Sequence, residues 1–249
     1  MGETMNTFKK LWKRFWEYVW ECYKGSFLSS VTYVLASLIL MMLTMKEDAV
    51  YSTQVTWCVV VIVCALAYNG LVLWNYGSMN FEMLVSGNMK RMSAASLGSE
   101  YKISSHSFVK EYRPWKGFAM GAFMAVSSIV FGILFGVFQT EINAIFSQEL
   151  LSQSHAIIAL IGIFLTGWTL LPFYCMNMAG IVVSYYLSLL LALLPVIVSG
   201  ALYIVGAYAK RNKTIRAQEL ADRAAQAEAN KPKKINYGGL PGTKPRKRK

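Results

Sequence analysis

Long uncharged stretches alternate with short charged ones along this chain, and their lengths predict helices that cross a lipid bilayer. A hydrocarbon layer of about 30 Å needs about 20 apolar residues at about 1.5 Å each. Phe27–Met45, Val55–Tyr76 and Gly117–Phe138 each meet that requirement. Ala156–Ala209 runs for 54 residues without Asp, Glu, Lys, Arg or His, enough for two helices and a tight turn. The pattern therefore predicts an all-α, polytopic transmembrane helix bundle with about five hydrophobic helices. No small-x-small cleavage site follows the first run, which reads as a membrane anchor and not as a removed signal.

The segments between the runs divide the chain further. Residues 1–26 form an amphipathic interfacial segment, 27–76 a first transmembrane hairpin, 77–116 a basic loop, 117–209 the remaining hydrophobic helices and 210–249 a basic tail. Within the first, Phe8, Leu11, Trp12, Phe15, Val19, Cys22 and Tyr23 recur at helical spacing, and Trp16 and Trp20 widen the apolar face. Tryptophan prefers the headgroup level and cations attract anionic lipid, so Phe8–Tyr23 reads as a helix lying along one leaflet. In the loop, a Ser86-Gly87-Asn88 turn is expected inside the Met-rich stretch Met83–Met92, and Ser93–Ser99 reads as small and flexible. Arg113, Trp115 and Lys116 then form the aromatic and cationic belt of a helix entrance. Thr214–Asn230 reads as a solvated helix. Lys231–Lys249, with three prolines, three glycines and eight cations, reads as disordered.

Charge sets an orientation. The chain has 249 residues, 55% of them hydrophobic and only 15% charged, against about 25% charged in soluble domains. Its 25 cations are not spread evenly: five precede the first run, one lies in the first connection, six in residues 77–116, none in Gln139–His155 and thirteen from Lys210 onward. Cations stay on the cytoplasmic side during insertion. The N-terminus and the second loop are thus expected inside, and the first and third connections outside. The tail's thirteen cations argue for a cytoplasmic C-terminus, which needs an even number of crossings, whereas five helices would give an odd one. One, two or three passages within Ala156–Ala209 all remain open at this point.

Candidate chemistry is sparse. The cysteines Cys22, Cys58, Cys64 and Cys175 fit neither a zinc site nor a redox pair by spacing, and read as small packing residues. Metalloprotease, nucleophile-elbow and phosphate-loop motifs are missing, so neither an enzyme activity nor a cofactor or metal is expected. An ionisable group in mid-membrane would mark transport or proton chemistry, and none of the three well-defined runs holds one centrally. Asn69, Asn75 and Asn177 are the polar candidates. Asn177 lies between Pro172 and Gly180, a bracket that suits either a turn between spans or a broken helix. The clearest intramembrane pattern is small residues at three- and four-residue steps: Gly117, Gly121, Ala125, Gly132 and Gly136, then Gly180, Ser184 and Ser188. Such faces let helices approach closely, either within the chain or against a second copy.

Two stretches carry a resemblance. Lys-Glu-Tyr-Arg-Pro-Trp-Lys-Gly-Phe at the entry to the third run, and Leu194–Lys210, resemble multi-pass membrane proteins of Firmicutes whose function is uncharacterised. The resemblance implies a bacterial cell membrane location and a cytoplasmic end for the last helix, with no activity attached. Two function classes follow from the residues themselves. One is a non-catalytic scaffold, assembly or envelope-associated factor with a basic cytoplasmic loop and tail. The other is the membrane subunit of a transporter, or a small permease for an uncharged solute. The expected partners are the bilayer, with anionic lipids at its cytoplasmic face, and a protein or second copy at the small-residue faces, but no specific nucleic acid.

Overall fold

The computed structural model describes residues 2–44, 50–98, 105–146 and 153–230, all of them helices and the short links between them. Among these residues seven α-helices follow in order: α1 (Gly2–Thr44), α2 (Tyr51–Ser96), α3 (Ser105–Lys110), α4 (Trp115–Val137), α5 (Gln139–Phe146), α6 (Gln153–Met178) and α7 (Ser188–Ala229), with one 3₁₀ turn at Tyr185–Leu187. Five of them, α1, α2, α4, α6 and α7, are long and apolar enough to cross a membrane. No strand occurs among the described residues. The chain is an all-α bundle.

Two boundaries differ from the sequence reading. Phe8–Tyr23 is not a separate interfacial helix but the first part of α1, which continues unbroken through Gly25 into the first apolar run. Gly25 does not break the helix because its bare face receives Met120; a Cβ there would stand 2.6 Å from Met120 Cε. The turn expected at Ser86-Gly87-Asn88 is helical too, since α2 extends about 20 residues beyond its apolar part. Gly87 is tolerated there for a similar reason. A Cβ would stand 2.8 Å from Glu111 Oε1, so the glycine makes room for a carboxylate that pairs with Arg91 one turn later.

Contacts between helices fix their directions. Gln54 Nε2 donates to Thr44 O at 2.8 Å, turning α2 back along α1. Tyr18 meets Trp115 and Tyr23 meets Phe123, so α4 runs with α1. Against α7, Gly117 faces Tyr203, Gly121 faces Val196 and Gly132 faces Ser188, an antiparallel pairing. Along α2, Asn69 meets Ser199 and Glu82 meets Lys210, a parallel one. α1, α2, α4 and α7 therefore each run from one end of the bundle to the other, alternating in direction. The end that carries Arg91, Arg113, Lys116 and Lys210 is called the basic end below.

The helix α6 does not follow this rule. Its backbone leaves helical geometry at Thr166 (φ −134°, ψ 19°). Before that residue it runs against α4: His155 packs on Phe138 with ring centroids 5.1 Å apart, and Gly162 receives Phe131 and Phe135. After it the chain runs with α1: the Trp168 N–H donates to Ser37 Oγ at 3.1 Å, and Cys175 lies beside Thr44, seven residues further along both helices. The two arms are thus opposed, and both ends of α6 lie at the end away from the cations. Each arm spans about 18 to 20 Å, well short of a hydrocarbon layer of about 30 Å.

Local chemistry accounts for the break. Pro172 lacks an N–H, and its ring crowds the carbonyl four residues earlier, at Trp168. The polar groups freed near Thr166 find partners inside the protein. Thr166 Oγ1 donates to Gly162 O at 2.7 Å, Thr169 Oγ1 donates to Thr166 O at 2.9 Å, and Ser37 takes the Trp168 N–H. Thr166, Thr169 and Ser37 are fully buried, the condition under which non-helical backbone is tolerated at membrane depth. Trp168 seals the apex by stacking on Tyr33, centroids 4.6 Å apart.

A Schellman motif ends α6. The Ile181 N–H donates to Met176 O and the Gly180 N–H to Asn177 O, both at 3.0 Å, with Gly180 at φ 81°. Residues Arg211–Asn230 belong to a second unit, in which the α7 helix continues to Ala229 with every residue but the half-buried Thr214 exposed. The disorder expected for Lys231–Lys249 falls outside the described residues.

Candidate functional site at the basic end of the bundle

The basic end is built around Lys116, the second residue of α4. The sequence places it in the aromatic and cationic belt of a helix entrance, and in the structure it is completely buried. Its ammonium donates to Val109 O and, at 2.6 Å, to Glu111 O. Those carbonyls belong to the last turn of α3 and the residue after it, where a helix leaves acceptors without intrahelical partners. The lysine therefore satisfies backbone that would otherwise be buried and bare, which is why it does not reach for water.

Further links tie α3 to its neighbours. Arg91 donates to Glu111 Oε1 at 2.5 Å, and the Glu111 side chain is only 7% exposed. The Tyr112 N–H donates to Asn80 O at 3.0 Å, and Asn80 Nδ2 donates to Tyr203 Oη at 2.9 Å. Tyr112 stacks on Tyr203 at 5.4 Å with planes 16° apart, and burial pushes the Tyr112 phenol above its usual range. Lys210 pairs with Glu82 on the rim. These contacts weld α2, α3, α4 and the Tyr203 turn of α7 into one surface. Nothing in the sequence marks Glu111, Asn80 or Tyr203 as members of it, because they are brought together from positions up to 123 residues apart.

The remaining interface residues stand on the outside. Trp12, Trp16 and Trp20 are each more than half exposed along α1, Trp115 is nearly so, and Arg113 is half-buried. Arg113 lies between two rings, 4.9 Å from the centroid of Tyr18 and 4.8 Å from that of Phe108.

The small-residue positions divide in two. Gly117, Gly121, Gly132 and Gly136 lie against α7 and the 3₁₀ turn before it, and Ala125 is fully buried on the same helix. A Cβ on Gly121 would stand 2.6 Å from Val196 Cα and 2.8 Å from Pro195 O, so the backbones are nearly in contact. Ser188 completes this seam opposite Gly132. Gly180 and Ser184 do not belong to it. Gly180 is the left-handed residue of the Schellman motif with nothing within 4 Å, and the Ser184 side chain caps the 3₁₀ turn. Their spacing imitates a stripe, but the chain between them is extended and has no helical face.

Polar groups also gather deeper in the bundle. Asn69 is fully buried and donates to Ser199 Oγ at 3.0 Å. The Tyr33 hydroxyl lies beside Asn69, and neither it nor Asn69 Oδ1 has a hydrogen-bond partner. Asn177 is a cap, its Oδ1 accepting from the Val183 N–H at 2.8 Å. Cys58 and Cys175, read as separate packing residues, lie beside each other near Thr44. Sequence spacing could not reveal this pair, because the fold-back of α6 creates it. No cluster of three metal-ligating side chains occurs among the described residues.

No protein-family model matches this chain, and neither a curated protein nor a solved structure matches it.

Proposed function

We propose that this chain is a non-catalytic component of a bacterial cell membrane, a scaffold or assembly factor that works through a cytoplasmic platform. The observation that carries the reading is the welded basic end, where Lys116, the Arg91–Glu111 pair and the Asn80–Tyr203 contact hold α3 against three long helices. A surface held this firmly presents a fixed shape to a partner, so little ordering is needed on binding. The fold-back of α6 supports the orientation. It leaves four crossings, an even number, so the N-terminus and the tail share a side. With 24 of 25 cations in the N-terminal segment, second loop and tail, that side is the cytoplasm.

A C-terminal reporter that is active on only one side of the membrane tests the orientation. Cytoplasmic activity is the expected result, and external activity would overturn it. Purification of the full chain from mild detergent tests the role. A stoichiometric partner lost on Glu111→Ala with the fold retained would support the platform.

A second reading, the membrane subunit of a transporter or a permease for an uncharged solute, draws on the broken helix beside the unpartnered Asn69 Oδ1 and Tyr33 hydroxyl. Discontinuous helices can form substrate sites at the midplane. A co-purifying ATPase, or uptake of a neutral solute into proteoliposomes, would favour it over the scaffold.

A further inference from the structure

On the outer wall of the bundle, α1 and α4 enclose an apolar groove of about 400 Å³. Phe15, Tyr18 and Cys22 line one side, and Trp115, Ala122 and Val126 the other. It begins at the basic end and follows α4 from Trp115 to Val126, eleven residues or about 16 Å. That is roughly the hydrocarbon depth of one leaflet. The wall is lowest at Ala119 and Ala122, where the side chains are too small to fill the space.

Arg113 stands at the mouth of this groove. The rings of Tyr18, a groove residue, and Phe108 hold its guanidinium, each within 5 Å. Ring contacts of this kind leave the N–H donors of the guanidinium edge free. Among the described residues Arg113 pairs with no carboxylate; Glu111, its neighbour, is taken by Arg91. A rigid, unpaired guanidinium fork matches the oxygens of a phosphate. Arg14, one turn before Tyr18 on α1, adds a second cation beside the mouth.

We propose that Arg113 and the α1–α4 groove form a binding site for an anionic glycerophospholipid, with the phosphate on Arg113 and one acyl chain in the groove. An acyl chain suits the purely apolar lining and the one-leaflet length. A phosphate suits the donor set, and an anionic headgroup suits the extra charge. The site rests on the orientation proposed above only for the name of its leaflet, the cytoplasmic one. It does not depend on a protein partner.

The test uses the full chain, purified in mild detergent, stripped of loosely held lipid and weighed by native mass spectrometry. It is then titrated with phosphatidylglycerol, phosphatidylcholine or inorganic phosphate. The intact protein should retain one phosphatidylglycerol and bind it at least about tenfold more tightly than phosphatidylcholine. Arg113→Gln should abolish that preference. Ala122→Trp, which fills the groove, should lose the retained lipid while keeping its helical melting curve, and Ala122→Leu serves where the larger ring disturbs folding. Equal retention by these variants and the parent would reduce the groove to ordinary lipid contact and overturn the site. So would equal affinity for the two lipids, or displacement of the lipid by inorganic phosphate at matched concentration. None of these failures would touch the reporter result, so the two proposals fall separately.

Discussion

The helices α4 and α6 are alike in length, 23 and 26 residues, and each is apolar enough to cross a bilayer. One passes from end to end of the bundle, and the other turns back halfway. The difference lies in their polar and small residues. The α4 helix keeps its backbone hydrogen bonds intact and offers Gly117, Gly121, Gly132 and Gly136, so that α7 can lie directly on it. In α6 the backbone leaves helical geometry at Thr166, and Thr166, Thr169 and the Ser37 hydroxyl of α1 supply partners for the backbone around it. Apolar length measures how much chain belongs in lipid. Whether that chain crosses depends on where its backbone donors and acceptors find partners.

The comparison can be broken outright at Cys58 and Cys175. Oxidation of the full chain by copper phenanthroline should join them, read as linked peptides by mass spectrometry. If α6 crossed like α4, Cys175 would stand about 30 Å away at the basic end, and no link would form. Trp168→Ala comes next, since it empties the apex of the hairpin beneath Tyr33. A loss of about 3 kcal/mol is expected, measured as a fall in unfolding midpoint in detergent. On the other helix, Gly121→Leu should cost about 2 to 3 kcal/mol by forcing α7 off the seam, while the lipid-facing Val130→Leu should leave the midpoint nearly unmoved.

Smaller effects sharpen the contrast. Ser37→Ala removes the acceptor of the Trp168 N–H and should cost about 1 to 2 kcal/mol, whereas Ser127→Ala, on an exposed part of α4, should cost almost nothing. Glu111→Gln, at the basic end and away from both helix interiors, should cost about 1 kcal/mol or less. Because Arg91 is partly exposed, raising the salt concentration should shrink that difference further.

Much of this architecture was legible in the sequence, and the part that was not has a common cause. The uncharged runs reveal the apolar helices, because hydropathy is a local property. The glycine positions of α4 reveal a close-packed face for the same reason, since 3.6-residue periodicity needs no knowledge of the partner. Gly180 and Ser184 mislead because their spacing spans a turn and an extended segment, where helical periodicity has no meaning. The fold-back at Thr166 depends on Ser37 and Tyr33, more than 120 residues earlier, and Lys116 is buried because the end of α3 happens to reach it. The basic residues predicted an even number of crossings while the hydropathy predicted five helices. Five apolar helices are compatible with an even number of passages when one of them, α6, begins and ends at the same end of the bundle.

The hydrogen bond between Ser37 and Trp168 has a consequence for how the molecule is made. Its two residues are 131 positions apart, so a ribosome releases the acceptor long before the donor exists. A hydrophobic segment leaving the translocation channel cannot settle as a hairpin on its own, because its opened backbone would meet only lipid. The hairpin must dock on a helix already in place. Biogenesis of this protein is therefore ordered, with the first-made helix serving as the template for the sixth.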